Sequence, residues 1–266
     1  MSKITYSIVV PAYNEEKRIG KTLSFYGQYL EQNFSGKYEL IVVLNGCRDN
    51  TLGVAKQKAR EFTGLKILEY PEAIGKGGAI RQGFWHAQGG FVGYVDADCS
   101  TEPAELMRLF GLLKKNPAFD SVIASRRLPH SKVSAKSLQR KCMSMVFNWT
   151  VNTLFNLKIA DTQCGAKVFT RKSIQAIHPH LLITNLAVDV DILTEMKRQR
   201  LPVMESPTVW QDAENSTISR PLKTSMVMFG TLVKMRLLKS KLNFLVSTLD
   251  TSYNLALNSS RNNKSV

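Results

Sequence analysis

Short apolar runs alternate with longer amphipathic stretches through the first half of the chain. The runs YSIVVPAY, YELIVVL, LKILEY and GFVGYV have the length and the β-branched and aromatic content of strands. The stretches between them predict helices from about Glu15 to Asn33, from about Thr51 to Phe62, and through about His86. Repeats of strand, helix and strand predict parallel strands with helical crossovers, and therefore an α/β sandwich with ligands at the carboxyl ends of the strands.

The second half of the chain continues this pattern less regularly. FDSVIAS predicts a further strand, CGAKVFTR follows a basic helical stretch, and a helix is expected through VDVDILTEMKRQR. No internal repeat or low-complexity linker divides the chain. We therefore expect one domain over residues 1–240 and a partly disordered polar tail over 241–266.

Positive charge is concentrated in two segments that contain no acid. The net charge is +15, and residues 121–160 and 215–249 hold Lys and Arg but no Asp or Glu. Within them, CMSMVFNWTVNTLFNL and SMVMFGTLVKMRLL predict amphipathic helices near 136–158 and 222–240. Cations beside broad apolar faces suit a phosphate-bearing partner and a helix lying in a membrane interface. Burial against the protein's own core would produce much of the same pattern.

Cysteine and histidine usage argue against a disulfide framework and against a zinc site. Cys47, Cys99, Cys142 and Cys164 are scattered without a CxxC pair, and HPH is the only histidine cluster. No apolar run approaches the length that crosses a bilayer, and no secretory signal opens the sequence. These observations predict a cytoplasmic protein.

The run GFVGYVDADCS ends on two carboxylates, Asp96 and Asp98. Residues two apart in an extended chain point the same way, so both carboxylates are expected to face one spot. Like charges this close are stabilised by a cation, and a hard divalent ion such as Mg2+ or Mn2+ takes oxygen ligands. The alternative is a strand-end turn in which one aspartate helps to cap the next helix.

A glycine-rich turn precedes this strand by about twenty residues. In EAIGKGGAIRQG, three glycines surround Lys76, and Arg81 follows one turn later. Backbone amides at the start of a helix can approach phosphate oxygens, and the two cations would stabilise their charge. The turn is neither a Walker loop nor a GxGxxG fingerprint. Together with the paired aspartates it predicts a site for a nucleotide diphosphate and a metal.

Four motifs together carry a resemblance to a known family. SIVVPAYNEEKR, GKGGAIRQG, VDADCS and DTQCGAKVFTR resemble the family-2 glycosyltransferases with the GT-A fold, and most closely the dolichyl-phosphate (polyprenyl-phosphate) glucosyltransferase branch. The resemblance runs from about residue 5 to about residue 240. It implies a GT-A type α/β/α sandwich with a mostly parallel sheet, followed by C-terminal amphipathic helices.

The resemblance also implies which residues hold the UDP-sugar donor. Asp96 and Asp98 would bind the Mg2+ or Mn2+ that bridges the diphosphate. The other residues implied on the donor side are Pro11, Tyr13 and Glu15 for uridine, and Lys76, Gly77 and Arg81 for the phosphates or sugar.

A second set of residues is implied for the acceptor phosphate and the sugar pocket. The implied acceptor residues are Arg126, Arg140 and Ser144, and those lining the pocket are Asp161, Gln163, Asp189 and Asp191.

The chain departs from the family pattern at two places. Asn45 stands in VLNGCRDN where the family has an aspartate on the base, and its amide can still hydrogen-bond a uracil edge. Asp49 lies nearby. Ser219 and Arg220 fall about two positions late for the family's GSK element, which closes over the diphosphate.

The chemistry favours a phosphate acceptor. A phosphate monoester is already mostly dianionic at neutral pH, so its attack needs no general base. We therefore expect a membrane-associated, inverting transferase that moves a hexose, glucose by resemblance, from a UDP-sugar to a polyprenyl phosphate. It would act as a peripheral protein on the anionic cytoplasmic face of a membrane.

Three alternatives remain open from the sequence. A family-2 transferase with a glycan hydroxyl as acceptor would need Asp189 or Asp191 as its base. A sugar nucleotidyltransferase would open with a different glycine-rich loop. A nucleic-acid-binding module would explain the charge, but no zinc-finger, RNP or helix-turn-helix signature is present, so no nucleic-acid partner is expected.

Overall fold

The computed structural model describes residues 4–134, 138–211 and 221–240. A short 3-10 helix covers His178–His180. The strands are β1 (Tyr6–Ala12), β2 (Tyr38–Asn45), β3 (Leu65–Tyr70), β4 (Phe91–Tyr94), β5 (Ser121–Ser125), β6 (Lys132–Val133), β7 (Lys167–Thr170), β8 (Val203–Pro207) and β9 (Val209–Trp210). The α-helices are α1 (Ile19–Phe34), α2 (Thr51–Glu61), α3 (Gly75–His86), α4 (Pro103–Lys115), α5 (Leu138–Phe155), α6 (Arg171–Ile177), α7 (Val188–Arg198) and α8 (Pro221–Leu238).

A seven-stranded sheet organises the structure, in the order β3-β2-β1-β4-β7-β5-β8. Every pairing is parallel except those of β7, which runs antiparallel to both β4 and β5. A separate pair joins β6 to β9 in parallel. The prediction of a mostly parallel sheet is confirmed, and β7 is the exception within the large sheet.

The alternation of side chains along the strands builds a core on each face of the sheet. Ile8 and Val10 of β1 pack with residues of α1 and α4, whereas Val9 packs with residues of α3, α6 and α7. Successive residues of a strand point to opposite faces, so a strand that is apolar throughout must be covered on both sides. The result is the three-layer α/β/α sandwich that the sequence predicts.

The first helix begins later than its pattern predicts. Residues 13–18 form a turn between β1 and Ile19, and the Ile19 N–H bonds to the Glu15 carbonyl at 2.8 Å. The PAYNEEKR motif therefore lies mostly in the loop after β1, where its side chains can face a ligand.

Helix α5 is tied to the segment that follows it. The Asn148 side chain donates to the Ala160 carbonyl at 3.0 Å and accepts from the Thr162 N–H at 3.1 Å. One turn further on, the Asn152 side chain accepts from the Ile159 N–H at 3.0 Å. Two asparagines on one face of the helix thus fix the chain that leads into β7.

Helix α5 has apolar residues on two faces. Val151 and Phe155 are buried, while Met145, Val146 and Trp149 are exposed. The helix therefore contributes to the core and also presents apolar side chains to solvent.

Among the described residues, those up to residue 211 belong to one compact unit and residues 221–240 belong to a second. The described part of this unit is dominated by α8, on which Met226 and Phe229 are exposed. Residues 241–266, the predicted tail, lie outside the described residues. None of the described helices is both long enough and apolar enough to cross a membrane.

Candidate active site

Four segments singled out in the sequence lie along one edge of the sheet. Tyr13 follows β1, Asn45 ends β2, Asp96 comes two residues after β4, and Arg126 comes directly after β5. These four strands run in the same direction, so their carboxyl ends share that edge. The fold thus gathers residues that are far apart in the sequence.

The loop between β4 and α4 is held against α1. The Thr22 hydroxyl donates to the Ala97 carbonyl at 2.7 Å, and the Tyr26 hydroxyl donates to the Thr101 carbonyl at 2.9 Å. Both donor side chains are fully buried. Two buried hydrogen bonds fix this loop and the carboxylates that it carries.

The two carboxylates of this loop are half-buried and repel each other. Burial raises the pKa of Asp98, and the charge of Asp96 raises it further, while the Ser100 N–H donates to Asp98 Oδ1 at 3.0 Å and opposes the shift. Asp96 Oδ1 lies 2.7 Å from the ammonium of Lys76. A positive charge placed between the two carboxylates would therefore stabilise their ionised forms.

Gly165 lies directly behind the carboxylate of Asp96. A Cβ at this position would stand 2.0 Å from Asp96 Oδ2, which is closer than non-bonded atoms come. Only a glycine lets the DTQCG segment approach so near. One oxygen of Asp96 thus meets Lys76 and the other faces Gly165.

The two carboxylates fit a hard divalent cation. Mg2+ and Mn2+ prefer oxygen ligands, and Mg2+ is commonly held by one or two carboxylates together with substrate phosphates. Within the described ranges, no group of three or more His, Cys, Asp or Glu side chains could hold a metal. Asp96 and Asp98 would therefore share an ion with oxygen ligands from a diphosphate and from water.

A buried network of charges continues behind Lys76. Asp189 Oδ2 lies 3.9 Å from the Lys76 ammonium, and Asp189 Oδ1 lies 2.5 Å from the ammonium of fully buried Lys167. The Tyr94 hydroxyl donates to the same Oδ1 atom. Burial alone would raise the pKa of Asp189, but the two lysines lower it below its ordinary value. Asp189 is a stabilised anion and a poor proton acceptor.

Lys76 remains charged in this network. Burial would lower its pKa, but the carboxylates of Asp96 and Asp189 raise it above the ordinary value.

Lys167 and Tyr94, the other partners of Asp189, were not predicted from the sequence. A lysine inside the apolar CGAKVFTR segment is the one signal that could have identified the buried partner of Asp189.

The amides of the glycine-rich turn are used differently from the prediction. The Asn45 side-chain oxygen accepts from the N–H groups of Ile74 and Gly75 at 2.6 and 2.9 Å, and the Gly77 N–H donates to the Thr184 carbonyl at 2.7 Å. These three amides already have acceptors within the protein, so they are not directed at a phosphate. Asn45 is buried and caps the start of α3.

The glycines of this turn allow close packing of two backbones. Gly75 has a φ of +72°, and a Cβ there would stand 2.2 Å from the Thr184 carbonyl oxygen. The segment that contains Thr184 is held in turn by Asp191, whose Oδ2 accepts from the N–H groups of Leu182 and Ile183 at 2.7 and 2.8 Å. Asp191 is fully buried. The structure thus gives Asp191 a structural role and does not place it in an open pocket.

Arg126 forms a two-point ion pair with Asp161. Its Nε and Nη2 atoms lie 2.7 and 2.9 Å from the two carboxylate oxygens, and its guanidinium stands over the Trp210 ring at 5.4 Å. Burial opposes the charge of Asp161, but hydrogen bonding to Arg126 lowers the pKa of that carboxyl to about 2. The charge of Asp96 also helps to raise the pKa of Arg126. The DTQCG segment therefore connects the two predicted sides, because its Asp161 holds Arg126 and its Gly165 lies against the carboxylate of Asp96.

Arg127, which the sequence analysis did not single out, contacts Ser144. Its Nη2 atom donates to the Ser144 carbonyl and hydroxyl oxygens at 2.6 and 2.8 Å. Arg140 lies on α5, but its side chain is outside the described residues.

An open groove of about 570 Å³ has Arg127 in its lining. Its other lining residues are Met145, Asn148, Trp149, Asn152, Thr153, Asn156, Lys158, Ile159 and Ala160.

The residues predicted for uridine occupy the end of β1 and the following loop. Pro11 is buried within β1, whereas Tyr13 is half exposed. Glu15 pairs with Arg18 at 2.6 Å. Burial raises the pKa of Glu15 despite that pair, and the charge of Asp98 adds to the effect. Glu15 is therefore within electrostatic range of the paired aspartates.

Four other predicted residues are Arg81, Gln163, Ser219 and Arg220. Arg81 is half-buried on α3, and its carbonyl oxygen contacts His178 Nε2 at 3.1 Å. Gln163 is half-buried beside Asp161. Ser219 and Arg220 lie outside the described residues.

Comparison with known proteins identifies the family. The model of the glycosyl transferase family 2 matches residues 7–177, a span that includes the loop after β1, the glycine-rich turn, both aspartates and the DTQCG segment. The chain belongs to glycosyl transferase family 2. It is therefore a glycosyltransferase, and the resemblance seen in its motifs is confirmed.

Several relatives in this family are dolichyl-phosphate beta-glucosyltransferases by name. The Drosophila melanogaster protein is 32% identical over 224 residues, which cover 80% of this chain and 69% of the relative. The Saccharomyces cerevisiae protein is 29% identical over 234 residues, which cover 82% of this chain and 70% of the relative. The Homo sapiens protein is 30% identical over 223 residues, with coverages of 80% and 69%.

Solved structures of two glycosyltransferases share the fold. Glucosyl-3-phosphoglycerate synthase from Mycobacterium tuberculosis, crystallised with Mn2+, UDP-glucose and phosphoglyceric acid, superposes with a TM-score of 0.69 at 18% identity, over 90% of this chain and 82% of that one. Mannosyl-3-phosphoglycerate synthase from Rubrobacter xylanophilus gives 0.66 at 22% identity, over 91% and 78%. The predicted GT-A fold is confirmed.

Proposed function

We propose that this glycosyltransferase moves glucose from UDP-glucose to a polyprenyl phosphate of the dolichyl type, with Mg2+ or Mn2+ as cofactor. The observation that carries the proposal is that the DTQCG segment joins a cation for an acceptor phosphate to a carboxylate for the donor metal, because Asp161 pairs with Arg126 at 2.7 Å and Gly165 lies against the carboxylate of Asp96. The names of the relatives support the substrate classes.

On the donor side, Asp96 and Asp98 would hold the metal, and the ion would supply positive charge for the diphosphate and for the departing UDP. Lys76 adds a second positive charge at the same place. Tyr13 and Glu15 flank the uridine. Arg81, on α3, is proposed as a further contact of the donor.

On the acceptor side, Arg126 and Arg127 provide adjacent cations at the end of β5. Asp161 orients Arg126 through the two-point pair, and Ser144 is held by Arg127. Arg140, on α5, is proposed as a third cation at the acceptor phosphate. Two arginines with fixed partners present their remaining N–H groups in a defined direction.

The reaction proposed is an in-line displacement with inversion. An oxygen of the lipid phosphate forms a bond to the anomeric carbon of glucose, while the bond from that carbon to the β-phosphate oxygen breaks and UDP leaves. The acceptor is already an anion, so no proton needs to be removed. A hydroxyl acceptor would require a free base, and the described geometry engages Asp189 with two lysines and Asp191 with two amides.

Access to a lipid acceptor is proposed to occur through the exposed face of α5. Trp149 and Met145 are exposed there, with Arg127 and Lys158 lining the adjoining groove. Apolar side chains beside cations suit the surface of an anionic membrane. We propose that the protein binds peripherally to the cytoplasmic face of such a membrane.

Transfer of labelled glucose from UDP-glucose to a short polyprenyl phosphate tests the chemistry. We expect transfer with Mg2+ or Mn2+, loss of transfer with EDTA, and a loss of about 100-fold or more in Asp98→Asn. Asp120→Asn is the matched control, since Asp120 is a half-buried aspartate that bonds Thr170 at the start of α6. Binding or hydrolysis of UDP-glucose without a lipid product would show that the acceptor is different.

Sedimentation with vesicles tests the membrane surface. We expect Trp149→Ser to weaken binding to phosphatidylcholine vesicles that contain an anionic lipid, and to leave binding of UDP unchanged. Trp85→Ser is the matched control, because Trp85 is equally exposed, at 71% against 69%, but lies on α3. Equal binding by both variants and the parent protein would refute the assignment to α5.

A further inference from the structure

Asp96 already has a cationic partner in this structure. Its Oδ1 atom is 2.7 Å from the Lys76 ammonium, while its Oδ2 atom faces Gly165 at a distance that excludes even a methyl group. A metal ion that binds Asp96 would therefore stand close to the Lys76 ammonium, and repulsion between the two cations favours displacement of Lys76. Two cations cannot share the same oxygen closely without strong repulsion.

The backbone of Lys76 is anchored, but its ammonium has a second anion within reach. Asn45 caps the N-terminus of α3 on one side of the residue, and the Gly77 amide bonds Thr184 on the other. The Asp189 carboxylate lies 3.9 Å from the ammonium. A flexible four-carbon stem on a fixed backbone allows the charge to move while the helix stays in place.

The metal site itself is sparse. It offers the two carboxylates of Asp96 and Asp98, and the described residues hold no group of three or more metal-binding side chains. A cation that meets two protein carboxylates, one of them already paired with a lysine, binds weakly. A nucleotide diphosphate changes both conditions, because it supplies oxygen ligands to the ion and a new anionic partner to Lys76.

We propose that Lys76 competes with the metal for Asp96. Its ammonium stays paired with Asp96 until a nucleotide diphosphate draws the ammonium away, so metal binding becomes conditional on the nucleotide. This inference rests on the donor half of the proposed function and is independent of the acceptor. By thermodynamic linkage, the metal and the nucleotide then raise each other's affinity by the same factor.

The coupling has a direct consequence for the enzyme. A divalent ion alone does not occupy the site at moderate concentration, because Lys76 already balances the charge of Asp96. Lys76 thus acts as a positioning residue in both states, first for Asp96 and then for the diphosphate. Its removal should damage transfer and yet improve binding of the bare ion, a combination that loss of structure would not produce.

Binding of Mn2+, followed through the electron paramagnetic resonance signal of the free ion, tests the inference. The parent protein, Lys76→Gln and Lys76→Arg are titrated with Mn2+ alone and with Mn2+ in the presence of UDP. We expect Lys76→Gln to bind Mn2+ alone about tenfold more tightly than the parent, and UDP to enhance its Mn2+ affinity about tenfold less. Lys76→Arg keeps the charge and should bind bare Mn2+ as weakly as the parent.

Lys66→Gln is the matched control for a lost lysine. Lys66 pairs with Glu39 at the same 2.7 Å, but it lies near the start of β3, at the opposite end of the strand from the site. The control should behave as the parent protein in both titrations. Circular dichroism of each variant verifies that the fold persists.

Two results would overturn different parts of this account. If Lys76→Gln binds bare Mn2+ no more tightly than the parent, while UDP still promotes Mn2+ binding in the parent, Lys76 does not compete with the metal and the donor site stands. If the parent binds no Mn2+ even with UDP, the metal site is wrong and both the inference and the donor half of the proposed function fail.

Discussion

Gly165 offers a direct test of how strongly activity depends on the position of the Asp96 carboxylate. In Gly165→Ala, the added methyl carbon would stand 2.0 Å from Asp96 Oδ2, whereas real Cβ atoms do not approach other atoms within 3.0 Å. The carboxylate must therefore withdraw by about 1 Å. Its oxygen is the far end of a half-buried side chain, so the fold can accept the change at a cost in unfolding free energy of about 1 kcal/mol or less.

The effect on activity should be much larger. A misplacement of about 1 Å at a catalytic centre can lower a rate by about 100-fold. We expect that loss in transfer of labelled glucose from UDP-glucose to a short polyprenyl phosphate, together with weaker Mn2+ binding in the presence of UDP. The thermal midpoint should change little.

Gly111→Ala is the matched control for this substitution. Gly111 lies within α4, and a Cβ there meets no atom within 4 Å. Its activity should equal that of the parent, and its stability should rise by about 0.5 to 1 kcal/mol because alanine favours the helix. A Gly165→Ala enzyme with activity within threefold of the parent would refute the reasoning, as would equal losses in both variants.

Three further predictions concern residues that support the site. The pKa of Asp161 is lowered to about 2 by Arg126, so the pair stabilises the fold above about pH 4 and this contribution, about 2 kcal/mol, is lost as the pH falls towards 2. Urea unfolding of Asp161→Asn should show a flatter acid dependence, and an unchanged slope would contradict this. Asp191→Asn should lower the unfolding free energy by about 1 to 3 kcal/mol, because Asp191 holds the amides of residues 182–183, with kcat unchanged where the fold persists. A loss of rate without a loss of stability would instead make it catalytic. Asn45→Ala should lower the unfolding free energy by about 1 to 3 kcal/mol, because the N–H groups of Ile74 and Gly75 at the start of α3 lose their acceptor, and Asn45→Asp should retain it; urea unfolding of both variants measures the difference.

The layered architecture could be predicted because it depends on local periodicity. Apolar strands that alternate with amphipathic helices force a parallel sheet covered on both faces, whatever the details of packing. The direction of β7 could not be predicted in this way, since a strand has the same alternation of side chains in either direction. Its reversal brings the residues before the strand, rather than those after it, to the edge where Asp96 lies.

The paired aspartates were correctly placed at the end of β4, because their position follows from the end of one apolar run. The partners of charged residues depend on tertiary contacts, so they could not be predicted from the sequence. Asp189 and Asp191 are two positions apart on α7, yet one pairs with Lys167 and the other holds backbone amides. The sequence could not distinguish these roles, because both are acids in the same motif.

The glycine-rich turn shows a related limit. Glycines before a helix suggest an approach to phosphate, but close packing against another part of the chain requires the same residue. In this structure the turn packs against Thr184, and its amides bond to protein oxygens. Which of the two uses applies depends on a segment more than 100 residues away.

The asparagines of α5 have a consequence for exchanging parts between relatives. Asn148 and Asn152 bind the chain at residues 159–162, a stretch that contains Asp161. The helix and this segment therefore form one transferable module. A chimaera that imports a different surface helix without residues 159–162 would break these hydrogen bonds and disturb the partner of Arg126, whereas one that imports residues 138–162 together would keep them.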